Sequence, residues 1–181
     1  MLPKSPARMQ RLFPQRKIIR WQAHDYRAPG AYFVTIDATE RGCPFGTVTG
    51  YEDDARVDLN ALGVLLQSCW SAIPQHFSYV SLDDAFVVMP DHLHGILHLH
   101  PHGDLSMPCA PATFGPQKDT LGVVVGQFKA AVTRLAKADG LVNKWQRSFW
   151  DRVVRDEAEY RRIQQYIFDN PRRWQRTRGT Q

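Results

Sequence analysis

Cysteine is scarce in this 181-residue chain: Cys43, Cys69 and Cys109 are an odd number and form no CxxC pair. A disulfide framework and a zinc ribbon are therefore not indicated. Long apolar runs are missing too, since none approaches the roughly 20 residues that span a bilayer. The opening stretch MLPKSPARMQRLFPQRK lacks the apolar core of a secretory signal. GxSxG, P-loop, HExxH and GxGxxG signatures do not occur. These absences disfavour membrane, secreted and fibrous classes and leave a cytoplasmic protein as the expectation. What is present, 43% hydrophobic and 23% charged residues, is enough for one globular core without staples.

Charge is unevenly spread. Residues 1–27 carry a net +6, residues 28–140 a net −6 and residues 141–181 a net +5. Basic ends around an acidic middle fit a polyanionic partner gripped by the termini. A solvated surface with a basic arm gives the same numbers.

Residues 1–20, rich in Pro and basic side chains, read as an N-terminal arm, and 21–181 as a single domain. A strand is expected over Gly30–Asp37, after the Pro29-Gly30 turn, and a hairpin-like piece over Gly42–Gly50. Leu62, Leu65, Leu66, Trp70 and Ile73 recur at helical steps, so 58–73 reads as a helix stopped by Pro74. Residues 79–89 read as one or two strands and His92–His100 as another. Residues 101–119 hold four Pro and two Gly and read as a loop insertion. Thr120 caps a helix to about Lys137, Phe149–Val154 is a short strand, and Asp156 starts a helix ending at Asn170-Pro171. This alternation indicates an α+β fold with helices packed on one face of an antiparallel sheet.

The most informative segment is Val87-Val-Met-Pro-Asp-His-Leu-His-Gly-Ile-Leu-His-Leu-His100. Alternate strand residues share a face, so His92 and His94 point together while Leu93, Leu97 and Leu99 point the other way. Two imidazoles on one rigid strand can supply two cis ligands to a divalent metal. His98, His100 and His102 share that parity. The polar face of an amphipathic strand fits the same spacing. Asp83-Asp84 and Asp53-Asp54 are adjacent pairs whose members would face opposite ways, so solvated turns suit them better than an acid/base dyad.

In Glu159-Tyr-Arg-Arg-Ile-Gln-Gln-Tyr-Ile-Phe-Asp-Asn-Pro171, Ile163 and Ile167 can face a core. Tyr166 and Asn170, one turn apart, put a phenol and an amide on one side of the helix end. Arg161, Arg162, Arg172 and Arg173 surround that turn, and guanidinium groups suit phosphate.

Three ordered blocks together resemble the REP-associated tyrosine transposases of the HUH single-strand transposase superfamily. They are Val87–Leu97 with its Met-Pro-Asp-His-Leu-His core, Gly126-Gln-Phe-Lys-Ala-Ala-Val-Thr133, and Trp145-Gln-Arg-Ser-Phe-Trp-Asp-Arg-Val-Val-Arg155 running into Tyr166-Ile-Phe-Asp-Asn-Pro171. The resemblance spans roughly residues 25–175 and leaves out the arm and the 101–119 loop. It implies a ferredoxin/RRM-like sheet with helices on one face and a C-terminal catalytic helix. It implies metal-dependent cleavage and rejoining of single-stranded DNA beside REP-like hairpins, through a 5′-phosphotyrosine intermediate with Mg²⁺ or Mn²⁺. Carried over by position, Tyr166 becomes the nucleophile and His92, His94 and Asn170 the metal ligands. Tyr160 is a fallback nucleophile with Gln164, not Asn, one turn on.

Arg147, Arg161, Arg162, Arg172, Arg173 and Lys129 are the residues expected to grip the DNA backbone. Trp145, Phe149, Trp150 and Trp174 are candidates for stacking on unpaired bases, with core packing expected for at least two. The expected partner is single-stranded or hairpin DNA, in a nucleoid-associated protein without membrane contact. A homodimer sharing His motif and tyrosine helix between subunits stays open. Two rival readings remain: a domesticated binder of structured DNA or RNA that does not cut, and a metallohydrolase using the longer His ladder with zinc and water.

Overall fold

A computed structural model describes residues 24–39, 42–102 and 119–178, with side chains to 176. The arm at 1–20 and most of the 101–119 insertion lie outside the described residues. Among the described residues six strands form: β1 (Gly30–Asp37), β2 (Gly46–Thr49), β3 (Arg56–Leu59), β4 (Val80–Val88), β5 (His92–Leu99) and β6 (Trp150–Val154). Five helices accompany them: α1 (Ala61–Ser71), α2 (Ile73–His76), α3 (Leu121–Ala138), α4 (Glu157–Phe168) and α5 (Asn170–Arg178).

The main sheet has the order β4-β5-β1-β6, antiparallel throughout. With α1 between β1 and β4 and α3 between β5 and β6, this is the ferredoxin-like βαββαβ arrangement. β2 and β3 pair as a separate hairpin inserted between β1 and α1.

Each long helix starts where a short polar side chain can satisfy an otherwise orphaned amide. The Asn60 side chain accepts from the Gly63 amide at 3.0 Å, Thr120 from Val123 at 3.3 Å, and Asp156 from Glu159 at 2.7 Å. Strand alternation then divides the sheet. Tyr32, Val34 and Ile36 of β1, with Leu93, Leu97 and Leu99 of β5, join α1 and α3 in the larger core. Phe33, Ala85 and Ile96 face the other side and meet Ile163 and Ile167 of α4. The two crossover helices thus share one face, and the C-terminal helix takes the opposite one.

Trp70 shapes the centre of the larger core. Its indole stacks on Phe86 at 4.9 Å between ring centroids and meets Phe128 edge-on at 5.7 Å. A Cβ at position 95 would fall inside that indole, so glycine is the residue that lets β5 pass directly over Trp70.

Four features differ from the sequence reading. Asp58 and Leu59 belong to β3, and the helix begins at Ala61 after its Asn60 cap. Pro74 does not stop a helix but sits in the first turn of α2, where its missing N–H leaves no bond unmade. Pro171 likewise falls in the first turn of α5, so the chain re-enters a helix at Asn170 instead of ending one. The piece expected over Gly42–Gly50 is in fact the first arm of the longer β2–β3 hairpin.

Candidate active site

β5 sets the two imidazoles. His92 and His94 project to the α4 side of the sheet, opposite Asp37 and Thr35 of β1 in the strand register. His94 is buried at 4% exposure. Each ring has its Nδ1 occupied by a neighbour. Asp91 Oδ1 lies 2.6 Å from His92 Nδ1, and Thr35 Oγ1 lies 2.8 Å from His94 Nδ1. Because a carboxylate only accepts, His92 carries its proton on Nδ1 and presents a lone pair at Nε2 when neutral. The two Nε2 atoms face each other at 3.1 Å. Burial, with the adjacent His92, pushes the His94 pKa down to about 3, so this ring is neutral, as a ligand must be.

α4 brings the phenol. Arg155 precedes its cap, and the Glu159 carboxylate reaches back to accept from the Arg155 amide at 2.9 Å while pairing with Arg152 at 2.5 Å. These bonds tie the first turn of α4 to β6. Two turns further on, the Tyr166 hydroxyl stands 3.5 Å from His94 Nε2, with its ring centroid 5.3 Å from that imidazole. The phenol is 36% exposed and so open to the surface. The Arg173 guanidinium lies over the Tyr166 ring, 5.3 Å from its centroid. Asn170 is buried where α5 begins, one turn beyond Tyr166. On α5, Trp174 brings its ring to 5.9 Å from His92.

α5 itself is braced from outside the main sheet. Arg172 pairs with Asp53 at 2.6 Å, and the Gln175 amide donates to the Gly50 carbonyl. The β2–β3 hairpin loop therefore holds the helix that overlies the His pair. Asp53 and Asp54 lie in an exposed turn, as their adjacency indicates.

Beside Tyr166 a cleft of about 490 Å³ opens between α4 and the β1–β6 edge, lined by Phe33, Trp150, Arg152, Glu159 and Arg162 among others. Trp150 is 41% exposed there. Of the four aromatics singled out in the sequence, Trp145 and Phe149 pack in the larger core, whereas Trp150 and Trp174 flank the site.

The basic residues separate as well. Arg162 lines the cleft and Arg147 is exposed. Arg161 pairs with Glu157 one turn earlier on α4. Lys129 turns inward, donating to the carbonyls of Gln146 at 2.5 Å and Ser148 at 3.1 Å. Burial pulls its ammonium below the ordinary range, with Asp37 opposing.

Tyr160 is placed differently from Tyr166. Its hydroxyl donates to Asp83, and burial together with that carboxylate pushes the phenol up to about 12. Asp83 is consequently no solvated turn residue, and that sequence expectation is corrected. Thr35, Asp91, Arg152 and Glu159 escaped the sequence reading. Asp91 could have been found, since it abuts His92; Thr35 becomes visible only through the β1–β5 register.

The donor set fits a divalent cation. Two nitrogens each about 2.1 Å from one ion, at right angles, lie about 3.0 Å apart, close to the 3.1 Å found between the Nε2 atoms. Both rings also have the outer hydrogen-bond partners that fix a ligating histidine. Among the described residues, no three His, Cys, Asp or Glu side chains converge, so further ligands would come from other groups.

No protein-family profile matches the chain. An uncharacterised protein of Haemophilus influenzae is 37% identical over 167 residues, 88% of this chain and 90% of that protein. A second H. influenzae protein, named as a candidate REP-associated tyrosine transposase, is 25% identical over 158 residues, 81% of this chain and 73% of its own length. Among solved structures, a REP-associated tyrosine transposase bound to a REP hairpin matches with a TM-score of 0.56 at 23% identity. That match covers 86% of this chain and 74% of the other and shows a shared fold. The chain therefore shares its fold with a REP-associated tyrosine transposase, and along most of its length it is similar to two H. influenzae proteins, one of them named as a candidate member of that family.

Proposed function

We propose that the protein is a DNA strand transferase that cleaves and rejoins single-stranded DNA next to a hairpin, with Tyr166 as nucleophile. The observation that carries this reading is the 3.5 Å approach of the Tyr166 hydroxyl to His94 Nε2, itself 3.1 Å from His92 Nε2. A hairpin substrate is carried over from the structural relative, which was solved on a REP hairpin.

His92 and His94 would hold Mg²⁺ or Mn²⁺, with Asn170 as the candidate third ligand. When bound, the ion supplies charge neutralisation at the scissile phosphate. The protein's own groups do the rest. Asp91 and Thr35 fix the two rings, so the Nε2 atoms need no reorganisation when substrate arrives. Tyr166, held against His94, attacks phosphorus. The O–P bond to tyrosine forms as the P–O3′ bond breaks, leaving a 5′-phosphotyrosine and a free 3′-OH. The phenolic proton is lost to solvent and the departing 3′ oxygen takes one up, so the step is proton-neutral. Because the phosphodiester is exchanged and not hydrolysed, the reverse attack by a 3′-OH can reseal the strand.

Arg173, over the Tyr166 ring, and Arg162, in the same cleft, would contact backbone phosphates, and Trp150 offers a face for an unpaired base.

The test is direct. The protein is incubated with a hairpin oligonucleotide bearing a single-stranded flank, with Mg²⁺ or Mn²⁺, and resolved on a denaturing gel. A covalent protein–DNA adduct that disappears in Tyr166→Phe is the expected result. Salt-sensitive hairpin binding without adduct in either metal would replace the transferase with a binding protein.

A further inference from the structure

The α4 face of the sheet carries a second polar cluster that the proposed chemistry leaves unused. Leu82 of β4 pairs with Leu97, but Phe86 pairs with Gly95, so three residues of β4 span the interval that one residue, Ile96, fills on β5. Asp83 lies in this bulge with its side chain only 7% exposed. Its Oδ1 accepts from the Ala85 amide at 2.7 Å and from the Gln164 side chain at 3.1 Å. Oδ2 accepts from the Tyr160 hydroxyl, with His98 Nε2 at 3.5 Å. A carboxylate buried this far is tolerated because it is so fully hydrogen-bonded.

Tyr160 and Gln164 are one turn apart on the flank of α4 that faces β4. Ile163 and Ile167 form the apolar ridge against Phe33, Ala85 and Ile96. Glu159, Arg162 and Tyr166 line the other flank, toward the cleft. An apolar ridge is weakly directional, and each residue of slippage would shift the helix by about 1.5 Å along its axis and turn it by about 100°. Two successive turns bonded to one fixed carboxylate remove that freedom.

We propose that Asp83, acting through Tyr160 and Gln164, is a positioning residue that sets the register of α4 on the sheet and so delivers the Tyr166 hydroxyl to His94. Its catalytic consequence rests on the transferase reading; the placement itself does not. The experiment therefore has two arms on the full chain. In the first, NMR on the metal-free, DNA-free protein follows the cross-peak between the Tyr166 and His94 rings and the cross-peaks within the Ile96–Ile163–Ile167 cluster. In the second, adduct formation on the hairpin is timed in a single turnover, with hairpin affinity measured separately.

Asp83→Ala is expected to lose the Tyr166–His94 cross-peak, keep the cluster cross-peaks, and slow adduct formation about 100-fold at unchanged affinity. Tyr160→Phe keeps the ring and removes only the hydroxyl. It should show the same effects at smaller size, and it decides the matter should Asp83→Ala fail to fold. Intact cross-peaks with wild-type rates in Tyr160→Phe, or in a folded Asp83→Ala, overturn the proposal. A wild-type protein that forms no adduct, while the variants lose the Tyr166–His94 cross-peak, overturns the transferase reading and leaves the positioning role standing.

Discussion

The two faces of the sheet solve different problems with the same strands. Toward α1 and α3, β1 and β5 present Tyr32, Val34, Ile36, Leu93, Leu97 and Leu99, all at or near complete burial around Trp70. Toward α4, the alternate residues of the same strands are Phe33, Thr35, His92, His94 and Ile96. The apolar cluster there has five buried members, and hydrogen bonds carry much of the contact. The lesson is one of division. The first face holds the fold dry and closed, which frees the second to keep polar groups near an open surface.

That contrast can be broken from either side. The largest effect is expected on the open face. His94→Ala or Tyr166→Phe should lower adduct yield by about 1,000-fold or more while thermal melting shifts little, since catalytic groups acting as a unit are lost together. On the closed face the pattern inverts. Trp70→Ala should cost about 3–5 kcal/mol in a urea titration, and whatever protein stays folded should keep its adduct rate.

Gly95→Ala sharpens the comparison, because the position borders His94 yet faces the closed core. The added methyl meets the Trp70 ring, and overpacking of this kind costs about 1–3 kcal/mol. Thr35→Val removes the hydroxyl from His94 Nδ1 and leaves the strand intact. The Mn²⁺ concentration for half-maximal adduct should then rise by about 10- to 100-fold.

The smallest effect is the pH dependence of the Asp83–Tyr160 bond. Burial alone would raise the Asp83 carboxyl, but Tyr160, Ala85, Gln164 and His98 together hold it below the ordinary 3.8. Its contribution to stability is present above 3.8 and disappears as pH falls through the lower folded value. Tyr160, raised from 10.0 to about 12, contributes fully below 10 and loses that contribution as pH climbs through about 12. The stability gap between wild type and Asp83→Asn, read from urea melts, should be widest near neutrality and narrow toward acid.

Much of this was legible beforehand because strand parity is a strong signal. The run from His92 to Leu99 alternates polar and apolar except at Ile96, and both the His pair and its buried backing follow from it. Two helix starts were equally readable, since Thr120 and Asp156 are short polar caps before periodic segments. Tyr166 and Asn170 came from spacing plus family likeness. What stayed hidden depended on relations that spacing does not encode. Thr35 matters only because β1 pairs with β5 in one particular register. Asp83 looked like a solvated turn because nothing local announces that β4 bulges there and that α4 lies across it. Pro171 read as a terminator because the prior for proline inside a helix is unfavourable. The same ring is harmless in a first turn, and so the helix α5 was missed, although Trp174 and Arg173 on it had been singled out.

The irregularity in β4 has one more consequence. That strand is the outer one on its side of the sheet, and a straight outer strand is an open template on which another polypeptide can build. By interrupting the ladder between Leu82 and Phe86, the bulge denies a newcomer any long continuous run of backbone partners. The feature that aims a helix inward also protects the protein from polymerising along that rim.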